Sequence, residues 1–505
     1  MSVRRDAVAG RICLLTPQAL DADPFPEDDW PCDPRPFLPQ ASWELAVLEK
    51  ATAVGRVIAL SRQRFDVFFN LCDGAWDQDT PGIEVVQALE RLGVPFTGAT
   101  SEFYEPTRDA MKRVCWAWGI DTPSYVMATD ETDVHRAADT LRFPLIVKHP
   151  SSYASIGLTR ESRVESPAAL LERAHRMLEA YAGALIEEFI DGTECTVLVA
   201  ENPEDPYVPI TYTPMQYAFP EGESFKHADM KWVEYDGMTC TPVRQDHLAE
   251  ELQRICAGFF LGLNGAGFGR CDLRVDAEGR AYMLEINPNC GVYYPPDDAG
   301  SADLCLLHDP AGHAGFTRQL VRAALRRHDR RARGWVVRAR ADGGFGVYVA
   351  RPYAAGEPIL AFEEQPHELV TRSRMERDWP EWRRDRAWRD AWPLTEELWV
   401  LPGRDPEAWK PVGHSCDPSA WFEGLDVVAR RALAEGEEVT LDYATYRNEL
   451  MSSFECSCGA AGCRGTIRGD DCLQEFVGRY GDHVSDYVRR RRASGSGTDG
   501  AQRSP

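Results

Sequence analysis

The chain has 505 residues, 44% of them hydrophobic and 27% charged, and carries a formal net charge of −24. Such a length predicts about two to four globular domains, because a single hydrophobic core stops growing well below it. The negative charge argues against a protein that binds nucleic acid directly, since phosphate contacts need clustered Lys and Arg. No apolar run approaches the roughly 18 to 20 residues that cross a bilayer, and residues 1–10 lack a signal-peptide stretch. We therefore expect a cytoplasmic protein without a membrane partner.

The first two thirds of the chain alternate strand-like and helix-like patterns. Residues 11–16 (RICLLT) and 65–71 (FDVFFNL) are short apolar runs, and residues 82–93 (GIEVVQALERLG) have helical spacing with a terminal glycine. Further strands follow from residue 141, and a helix at 314–328 closes this part of the chain. The alternation predicts an α/β class.

The segment 269–289 has the pattern of a β-hairpin. With a turn at residues 277–280, the hypothesis is that Asp272 lies opposite Glu285. The same register places Arg270 opposite Asn287, and the period of two then puts all four side chains on one face. Carboxylate and amide oxygens suit Mg²⁺ bridging phosphates, with an arginine facing the transferring charge. A solvent-facing, salt-bridged hairpin is the alternative.

Charged residues in earlier segments fit the same site. Lys112 and Lys148 supply point charges, and the small residues after Lys148 let backbone N–H groups approach phosphates. Residues 186–194 (IEEFIDGTE) end an apolar strand with acids at a spacing that reaches an adenine and a ribose. Together with the hairpin, these segments indicate a nucleotide site.

In this order the segments resemble the ATP-grasp superfamily, and within it the D-alanine–D-alanine ligase-like enzymes, over about residues 10–328. The resemblance rests on seven collinear motifs: DVFFNLCDGAWD, GVPFTGA, RDAMK, PLIVKHP, LIEEFIDGTE, FGRCDLRVD and LEINPNCG. It implies an enzyme that phosphorylates a substrate carboxylate with ATP and Mg²⁺, after which an amine attacks the acylphosphate.

The resemblance also implies a role for each matching residue. The ATP contacts would be Lys112, Lys148, Ser155, Gly157, Glu187, Glu188 and Glu194, with the lysines on the phosphates, Glu187 at the adenine hinge and Glu194 on the ribose. The Mg²⁺ ligands would be Asp272, Glu285 and Asn287. The catalytic residues would be Arg270, on the transferring phosphoryl group, and Lys231, the closing lysine of a loop, with Lys226 as the alternative.

The segment after Asn287 departs from this family, whose members run Ser/Thr-Pro-Gly-Met-Thr there. Here the sequence reads PNCGVYYPPDDAG. Tyr293 and Tyr294 replace the small residues that receive a D-alanine carboxylate. We therefore expect a small carboxylate and an amine other than D-alanine as substrates.

The chain has 15 cysteines, and only the last few are grouped, in CSCGAAGC at 456–463. In a reducing compartment such a group indicates a metal rather than disulfides. Three thiolates in a glycine-rich turn suit one tetrahedral zinc, which then needs a fourth ligand from elsewhere. Chance clustering of thiols is the alternative.

Three segments around this cluster resemble a SET domain followed by a post-SET zinc segment, over about residues 334–472. They are GGFGVYVARPYAAGEPIL (343–360), GHSCDP (413–418) and GEEVTLDYAT (436–445). The family transfers a methyl group from S-adenosylmethionine to a lysine amine. In post-SET members the cysteine of the Asn-His-Ser-Cys motif completes the zinc site, which implies the ligands Cys416, Cys456, Cys458 and Cys463.

The SET resemblance implies further roles. The cofactor contacts would be Gly344, Phe345, Gly346, Gly413 and His414, and Tyr443 would align the amine with the sulfonium methyl. The alternatives are a plain turn for the glycines, a satisfied core histidine and one more strand-end tyrosine. Gly413 stands where the family has an asparagine that hydrogen-bonds the cofactor.

Two basic stretches lie at residues 318–335 and 489–492. We expect a solvated helix-to-linker segment for the first and a C-terminal helix end for the second. Nuclear import or histone contact is the alternative for both.

The predicted fold is therefore α/β, of the α+β multidomain kind: an ATP-grasp ligase fold followed by a mostly β SET domain with a post-SET zinc site. Its parts are an N-terminal α/β subdomain at 1–105, the ATP-grasp domain at 106–328, a linker at 329–334, the SET domain at 335–449, the post-SET segment at 450–472, a C-terminal helix at 473–492 and a disordered tail at 493–505.

The leading hypothesis is a carboxylate–amine ligase fused to a SET-type N-methyltransferase, with ATP, Mg²⁺, S-adenosylmethionine and Zn²⁺ as cofactors. Its partners would be a small carboxylate, an amine and a lysine-containing peptide or protein. Two alternatives stay open. One is a protein-lysine methyltransferase whose ligase-like half only binds, and the other is a ligase whose SET half only mediates interactions.

Overall fold

The structure, a computed structural model, describes residues 10–18, 32–75, 78–150, 157–227, 237–340, 343–361, 368–401 and 409–495. It divides into two compact units, which we call the N-terminal unit (residues 1–328 with 341–343) and the C-terminal unit (329–340 with 344–505). Across the described residues, no helix has the length and apolar character that spanning a membrane requires.

The N-terminal unit begins with a small parallel sheet of order β2-β1-β3. Its elements are β1 (Arg11–Pro17), β2 (Ser42–Leu48), α1 (Ala53–Ser61), β3 (Val67–Asn70), α2 (Ile83–Leu92) and α3 (Arg108–Ala117). The central strand β1 is buried along nearly its whole length, as its continuous apolar run predicts for a parallel strand covered on both faces.

A second, antiparallel sheet follows, with the order β4-β7-β5-β6. Its elements are β4 (Tyr125–Ala128), α4 (Glu131–Thr140), β5 (Leu145–Lys148), β6 (Arg163–Val164), α5 (Pro167–Tyr181) and β7 (Ala184–Glu188). Helices α4 and α5 contribute to one apolar core with the sheet. Asp130 and Ser166 accept the N-terminal N–H groups of these helices, which fixes where each helix begins.

The third sheet positions most of the candidate site and has the order β11-β10-β8-β12-β13, with β9 beside β8. Its strands are β8 (Thr193–Ala200), β9 (Ile210–Thr211), β10 (Met215–Ala218), β11 (Thr239–Pro242), β12 (Phe268–Val275) and β13 (Ala281–Pro288). Three helices complete the unit: α6 (Asp246–Gly262), α7 (Ser301–Leu307) and α8 (Gly312–Ala332). The sheet is antiparallel throughout, so neighbouring strands run in opposite directions. The charged residues of the candidate site lie on the faces of these strands.

The C-terminal unit consists mainly of short strands. These are β14 (Trp335–Ala339), β15 (Phe345–Val349), β16 (Pro358–Leu360), β17 (Glu368–Thr371), β18 (Trp392–Pro393), β19 (Leu398–Leu401), β20 (Gly413–His414), β21 (Ala420–Glu423), β22 (Asp426–Ala429), β23 (Glu438–Leu441), β24 (Phe454–Glu455) and β25 (Thr466–Ile467). They pair as β14-β15-β23-β20, β16-β22-β21, β17-β19-β18 and β24-β25. The helices are α9 (Arg372–Asp378), α10 (Glu381–Asp390) and α11 (Asp486–Gly495).

Two helix boundaries differ from the predicted ones. Helix α8 continues to Ala332 and so runs through most of the predicted linker. The predicted C-terminal helix begins only at Asp486, because Gly481 takes a left-handed φ of 56° and ends a stretch of 3-10 turns before it. Helix α11 extends to Gly495, and the rest of the predicted tail lies outside the described residues.

The basic cluster 489–492 lies in α11 and is used inside the C-terminal unit. Its four arginines donate to Asp482 O, Leu394 O, Tyr487 and Cys472 O respectively. These contacts tie the last helix to the segments beneath it. The cluster therefore has a structural explanation within the unit.

Candidate nucleotide cleft and cysteine cluster

The β12–β13 hairpin has the predicted register. Asp272 is the partner of Glu285, and Arg270 is the partner of Asn287. The Asn287 Nδ2 group donates to Asp272 Oδ2 at 3.0 Å and lies 3.5 Å from Glu285 Oε1. The Asn287 amide thus lies within reach of both carboxylates. This donor set of oxygen ligands fits a hard cation such as Mg²⁺.

Asp272 is held as a carboxylate by its neighbours. Arg270 donates to it through Nε at 3.1 Å and Nη2 at 2.8 Å, and Thr196 Oγ1 donates at 2.8 Å. Burial raises the pKa of the Asp272 carboxyl, but the guanidinium outweighs burial and holds that pKa below its ordinary value. The sequence interpretation did not include Thr196. This residue lies on β8, which pairs with β12 although the two strands are far apart in the sequence.

Glu285 forms an ion pair with Arg108, a residue that the sequence interpretation missed. Arg108 is the first residue of α3, and its side chain is 9% exposed. It precedes Lys112 by one helical turn, so both side chains leave the same face of α3. That spacing within the RDAMK motif is the signal that would have identified Arg108.

The two lysines predicted to hold phosphates both contact Glu187. Lys112 Nζ lies 2.7 Å from Glu187 Oε2, and Lys148 forms a short ion pair with the other carboxylate oxygen. Burial raises the pKa of Glu187, but the two ammonium groups overcome this effect and lower it to about 2. Lys112 is almost fully buried, whereas Lys148 lines an open cleft. In this structure Glu187 therefore neutralises the lysines, and Lys148 is the one placed to reach a ligand.

The other two predicted nucleotide acids are also paired with arginines. Glu188 accepts from Arg142 at 2.8 Å. Glu194 lies 3.4 Å from Arg274, whose guanidinium stacks 4.5 Å from the centre of the Phe189 ring. Burial raises the pKa of Glu194. Both acids line the cleft, and their contacts with a nucleotide stay a prediction.

Of the two candidate closing lysines, Lys226 lies in the described part of the chain and lines the cleft. Its Nζ is 3.5 Å from Ser301 Oγ and 4.8 Å from the centre of the Tyr217 ring. Burial, followed by nearby Arg270, lowers the Lys226 pKa. Lys231, the first candidate, and the loop residue Ser155 lie outside the described residues, while Gly157 is the first described residue after that loop.

These side chains surround one cleft with about 910 Å³ of space free of protein atoms, open solvent included. Part of its lining is an apolar cluster of Ile146, Phe189 and Phe225. Most of the other lining residues are charged. Five are cationic, Arg108, Lys148, Lys226, Arg270 and Arg274, and five are acidic, Glu187, Glu188, Glu194, Asp272 and Glu285. An apolar wall beside convergent charges suits a ligand with a flat ring and an anionic tail.

Residues 115–293 match the protein family described as "D-ala D-ala ligase C-terminus". The N-terminal unit is similar to the D-alanine–D-alanine ligases. The chain is 28% identical over 236 residues to the D-alanine–D-alanine ligase of Cupriavidus metallidurans, covering 46% of this chain and 69% of that protein. It is 29% identical over 242 residues to the enzyme of Xylella fastidiosa, covering 46% and 75%.

Among solved structures, the chain is similar to the D-alanine–D-alanine ligase of Bacillus anthracis complexed with ATP. The sequence identity is 17% and the TM-score is 0.48, and the match covers 64% of this chain and 99% of that one. The family match ends at residue 293. The family match therefore lies within the N-terminal unit, and the SET-type interpretation of the C-terminal unit stays a prediction.

In the C-terminal unit the structure brings together the four predicted zinc ligands. The sulfur atoms of Cys416, Cys456, Cys458 and Cys463 all lie within 4.8 Å of one another. Tetrahedral zinc with bonds of about 2.3 Å separates its sulfurs by about 3.8 Å, so the cluster has a suitable size. Among the described residues, it is the only group of three or more His, Cys, Asp and Glu side chains gathered this tightly.

The protein also stabilises negative charge in this cluster. The backbone N–H groups of Cys416 and Arg464 point at cluster sulfurs, at 3.5 and 3.4 Å. Although burial raises the pKa of Cys458, backbone hydrogen bonds and neighbouring thiols lower it to about 6. Burial and the other thiols raise the pKa of Cys456 to about 12. Without a cation the four thiols cannot all ionise, and a divalent metal removes that conflict.

Both ring nitrogens of His414, which is predicted to border the adenine, contact the protein. Its Nδ1 accepts the backbone N–H of Tyr443 at 3.1 Å, and its Nε2 lies 3.5 Å from Cys416 Sγ. Burial lowers its pKa to about 4, so the ring is neutral and carries its proton on Nε2, facing the sulfur. Both ring nitrogens are thus engaged, and His414 supports the cysteine cluster. This is the core-histidine alternative.

Tyr443, predicted to act in methyl transfer, has its hydroxyl engaged with the backbone. The hydroxyl donates to Val412 O at 2.9 Å. The preceding Asp442 is fully buried and accepts two hydrogen bonds from Arg464, both at 2.7 Å. Because Arg464 also contacts Cys416, this network joins the tyrosine segment to the cysteine cluster. The sequence interpretation missed it, since Asp442 and Arg464 are far apart in the chain.

The predicted cofactor glycines have a local explanation. A Cβ on Gly346 or Gly413 would lie only 2.6 or 2.7 Å from Glu438 Oε1, so either side chain would collide with this carboxylate. Glu438 in turn pairs with Arg340 at 3.2 Å. Phe345 packs against Trp409, with ring centres 5.4 Å apart. At position 413, where the SET family has an asparagine, the Glu438–Arg340 ion pair therefore occupies the space beside the glycine.

Proposed function

We propose that the N-terminal unit is an ATP-grasp enzyme, an ATP- and Mg²⁺-dependent carboxylate–amine ligase that acts through an acylphosphate. The observation that carries the proposal is the β12–β13 hairpin, which sets Asp272, Glu285 and Asn287 beside Arg270 in a cleft that also has an apolar wall. The similarity to proteins named D-alanine–D-alanine ligase supports this reaction class.

The chain's own residues would supply binding and charge. Asp272, Glu285 and Asn287 would hold Mg²⁺, which supplies neutralisation of phosphate charge when bound. Lys148 would contact a phosphate at the cleft surface, and Arg270 would face the transferring phosphoryl group. Phosphoryl transfer depends mainly on positioning and electrostatic stabilisation, and these residues provide both. We assign the closing lysine to Lys226 on its position in the cleft.

We propose substrates other than D-alanine. Tyr293 is buried, and its hydroxyl lies 3.0 Å from Thr317 Oγ1, so this segment is packed as core. Tyr217 donates to Ser301 Oγ at 2.6 Å, and Ser301 Oγ lies 3.5 Å from Lys226 Nζ. A hydroxyl pair and an ammonium group suit a small carboxylate substrate. The amine would enter from the open side of the cleft.

The proposal is tested with hydroxylamine as a generic amine, so that only the carboxylate is unknown. Purified protein, ATP and Mg²⁺ are incubated with hydroxylamine and pools of amino acids and small organic acids. We expect release of ADP together with a hydroxamate from at least one pool. A correctly folded protein that forms neither product from any pool would count against the ligase function.

A second candidate function concerns the C-terminal unit: a zinc-stabilised SET-type methyltransferase that uses S-adenosylmethionine and accepts a lysine-containing peptide or protein. The observation that favours it is the four-cysteine cluster joined to Tyr443 through Asp442 and Arg464. The 15 free cysteines agree with a reducing, cytoplasmic location.

Calorimetry with S-adenosylmethionine tests this second function. We expect a single site whose affinity falls about tenfold or more in Gly346→Ala, because the added Cβ displaces Glu438 at the proposed cofactor site. Gly478→Ala serves as the control, because Gly478 is exposed and a Cβ there would meet only the end of the Arg492 side chain, at 3.9 Å. Absence of any binding heat in zinc-loaded protein would leave the unit as an interaction module without methyl transfer.

A further inference from the structure

We infer that Arg108 is a second phosphate-binding arginine of the ligase-like unit, held by Glu285 until a metal ion takes that carboxylate. The inference rests on the proposed ligase function and deepens it. It assigns to Arg108 both a competition with the metal and a later contact with the nucleotide's phosphates.

The position of Arg108 is firmly fixed at its backbone. Thr107 caps helix α3 by accepting the N–H of Ala110 at 3.1 Å, so Arg108 begins the helix at a defined place. Its side chain is nearly buried, lines the cleft and ends at Glu285. The next charged residues on α3, Asp109 and Arg113, pair with each other at 2.6 Å on the exposed side. Arg108 is therefore the residue of the first helical turn directed at the cleft.

The two carboxylates of the hairpin are each matched by one guanidinium. Arg270 binds Asp272, and Arg108 binds Glu285. A carboxylate oxygen that coordinates Mg²⁺ has less negative charge to offer an arginine, so metal binding weakens these pairs. The guanidinium released from Glu285 remains in the cleft because α3 anchors it.

A phosphate group then becomes the natural partner of Arg108. The planar guanidinium offers paired donors that match phosphate oxygens, and it stays charged in any protein environment. Lys112 cannot take this place, because it is buried against Glu187. Arg108 would therefore compete with the metal for Glu285 when no nucleotide is bound. It would stabilise phosphoryl transfer when metal and nucleotide are both bound.

These two effects have opposite signs, which gives a sharp test with Arg108→Gln. Manganese binding is measured by electron paramagnetic resonance without nucleotide, using Mn²⁺ alone as the probe. We expect Mn²⁺ affinity to rise about fivefold or more, because the competitor for Glu285 is gone. In the hydroxylamine assay we expect turnover to fall at least about 10²-fold. Arg108→Lys should restore part of the turnover.

The matched control is Arg280→Gln, since Arg280 lies on the same hairpin but pairs with Asp121 on the exposed surface. Unchanged or weaker Mn²⁺ binding in a folded Arg108→Gln protein overturns the inference, whether or not any ligase reaction is seen. Tighter Mn²⁺ binding with unchanged turnover overturns the phosphate contact. Lack of turnover in the unmodified protein, with tighter Mn²⁺ binding in the variant, contradicts the ligase function and leaves the competition supported.

Discussion

Replacing Asp272 by asparagine is expected to lower ATP-dependent hydroxamate formation by about 10²- to 10³-fold while the protein stays folded. Asp272 accepts hydrogen bonds from Arg270, Thr196 and Asn287, so its carboxylate is the centre of the proposed metal site. An amide of the same shape removes the charge that a hard cation requires and turns an N–H₂ group toward a guanidinium or another donor.

The control for this variant is Glu278→Gln, which removes a carboxylate from the exposed turn of the same hairpin. Circular dichroism and thermal melting establish that both proteins are folded. Turnover is measured at several Mg²⁺ concentrations, and high Mg²⁺ should recover part of the activity of Asp272→Asn. Full activity of Asp272→Asn at low Mg²⁺ would place the metal site elsewhere.

Replacing Cys416 by serine is expected to abolish zinc binding and to destabilise the C-terminal unit. Cys416 is the only ligand of the cluster that lies outside the 456–463 segment, so it joins that segment to the end of β20. Structural zinc sites contribute large free energies of folding, and loss of one thiolate removes most of this contribution. We expect the melting transition of this unit to fall by roughly 10 °C.

Zinc content is measured by elemental analysis, and melting by calorimetry before and after chelation. Cys472→Ser is the matched control, because Cys472 is a buried thiol of the same unit outside the cluster. It should melt slightly earlier but keep its zinc. Equal zinc content in Cys416→Ser and the unmodified protein would show that the cluster does not need Cys416.

The parts of the fold that follow short-range rules could be predicted from the sequence. The hairpin was predicted with Asp272 opposite Glu285, and the structure confirms this pair. A register shift between Asp272 and Leu273 makes the pairing possible, and the side-chain period alone does not predict that shift. The parallel strand β1 is recognisable from its unbroken apolar run. The fourth cysteine could be chosen only through the SET resemblance, and its sulfur does lie with the other three.

Contacts between distant segments could not be predicted in this way. The place of Glu187 at an adenine hinge stays a prediction, but the sequence does not show that its carboxylate pairs with Lys112 of α3 and Lys148 of β5. Nor does it show that the ring of His414 contacts both Tyr443 and Cys416. The position of each charged side chain depends on which opposite charge lies nearest in three dimensions, and the periodicity of one segment does not contain that information.

The most direct test of the ligase function follows oxygen from the substrate. A carboxylate that reacts in the hydroxylamine assay is labelled with ¹⁸O at both oxygens and incubated with unlabelled ATP, Mg²⁺ and hydroxylamine. In an acylphosphate pathway one carboxylate oxygen attacks the γ-phosphorus, ADP leaves, and the amine then displaces phosphate that keeps this oxygen. We predict inorganic phosphate with one ¹⁸O atom per hydroxamate formed, measured by mass spectrometry. Hydroxamate and ADP formed together with unlabelled phosphate would contradict the account.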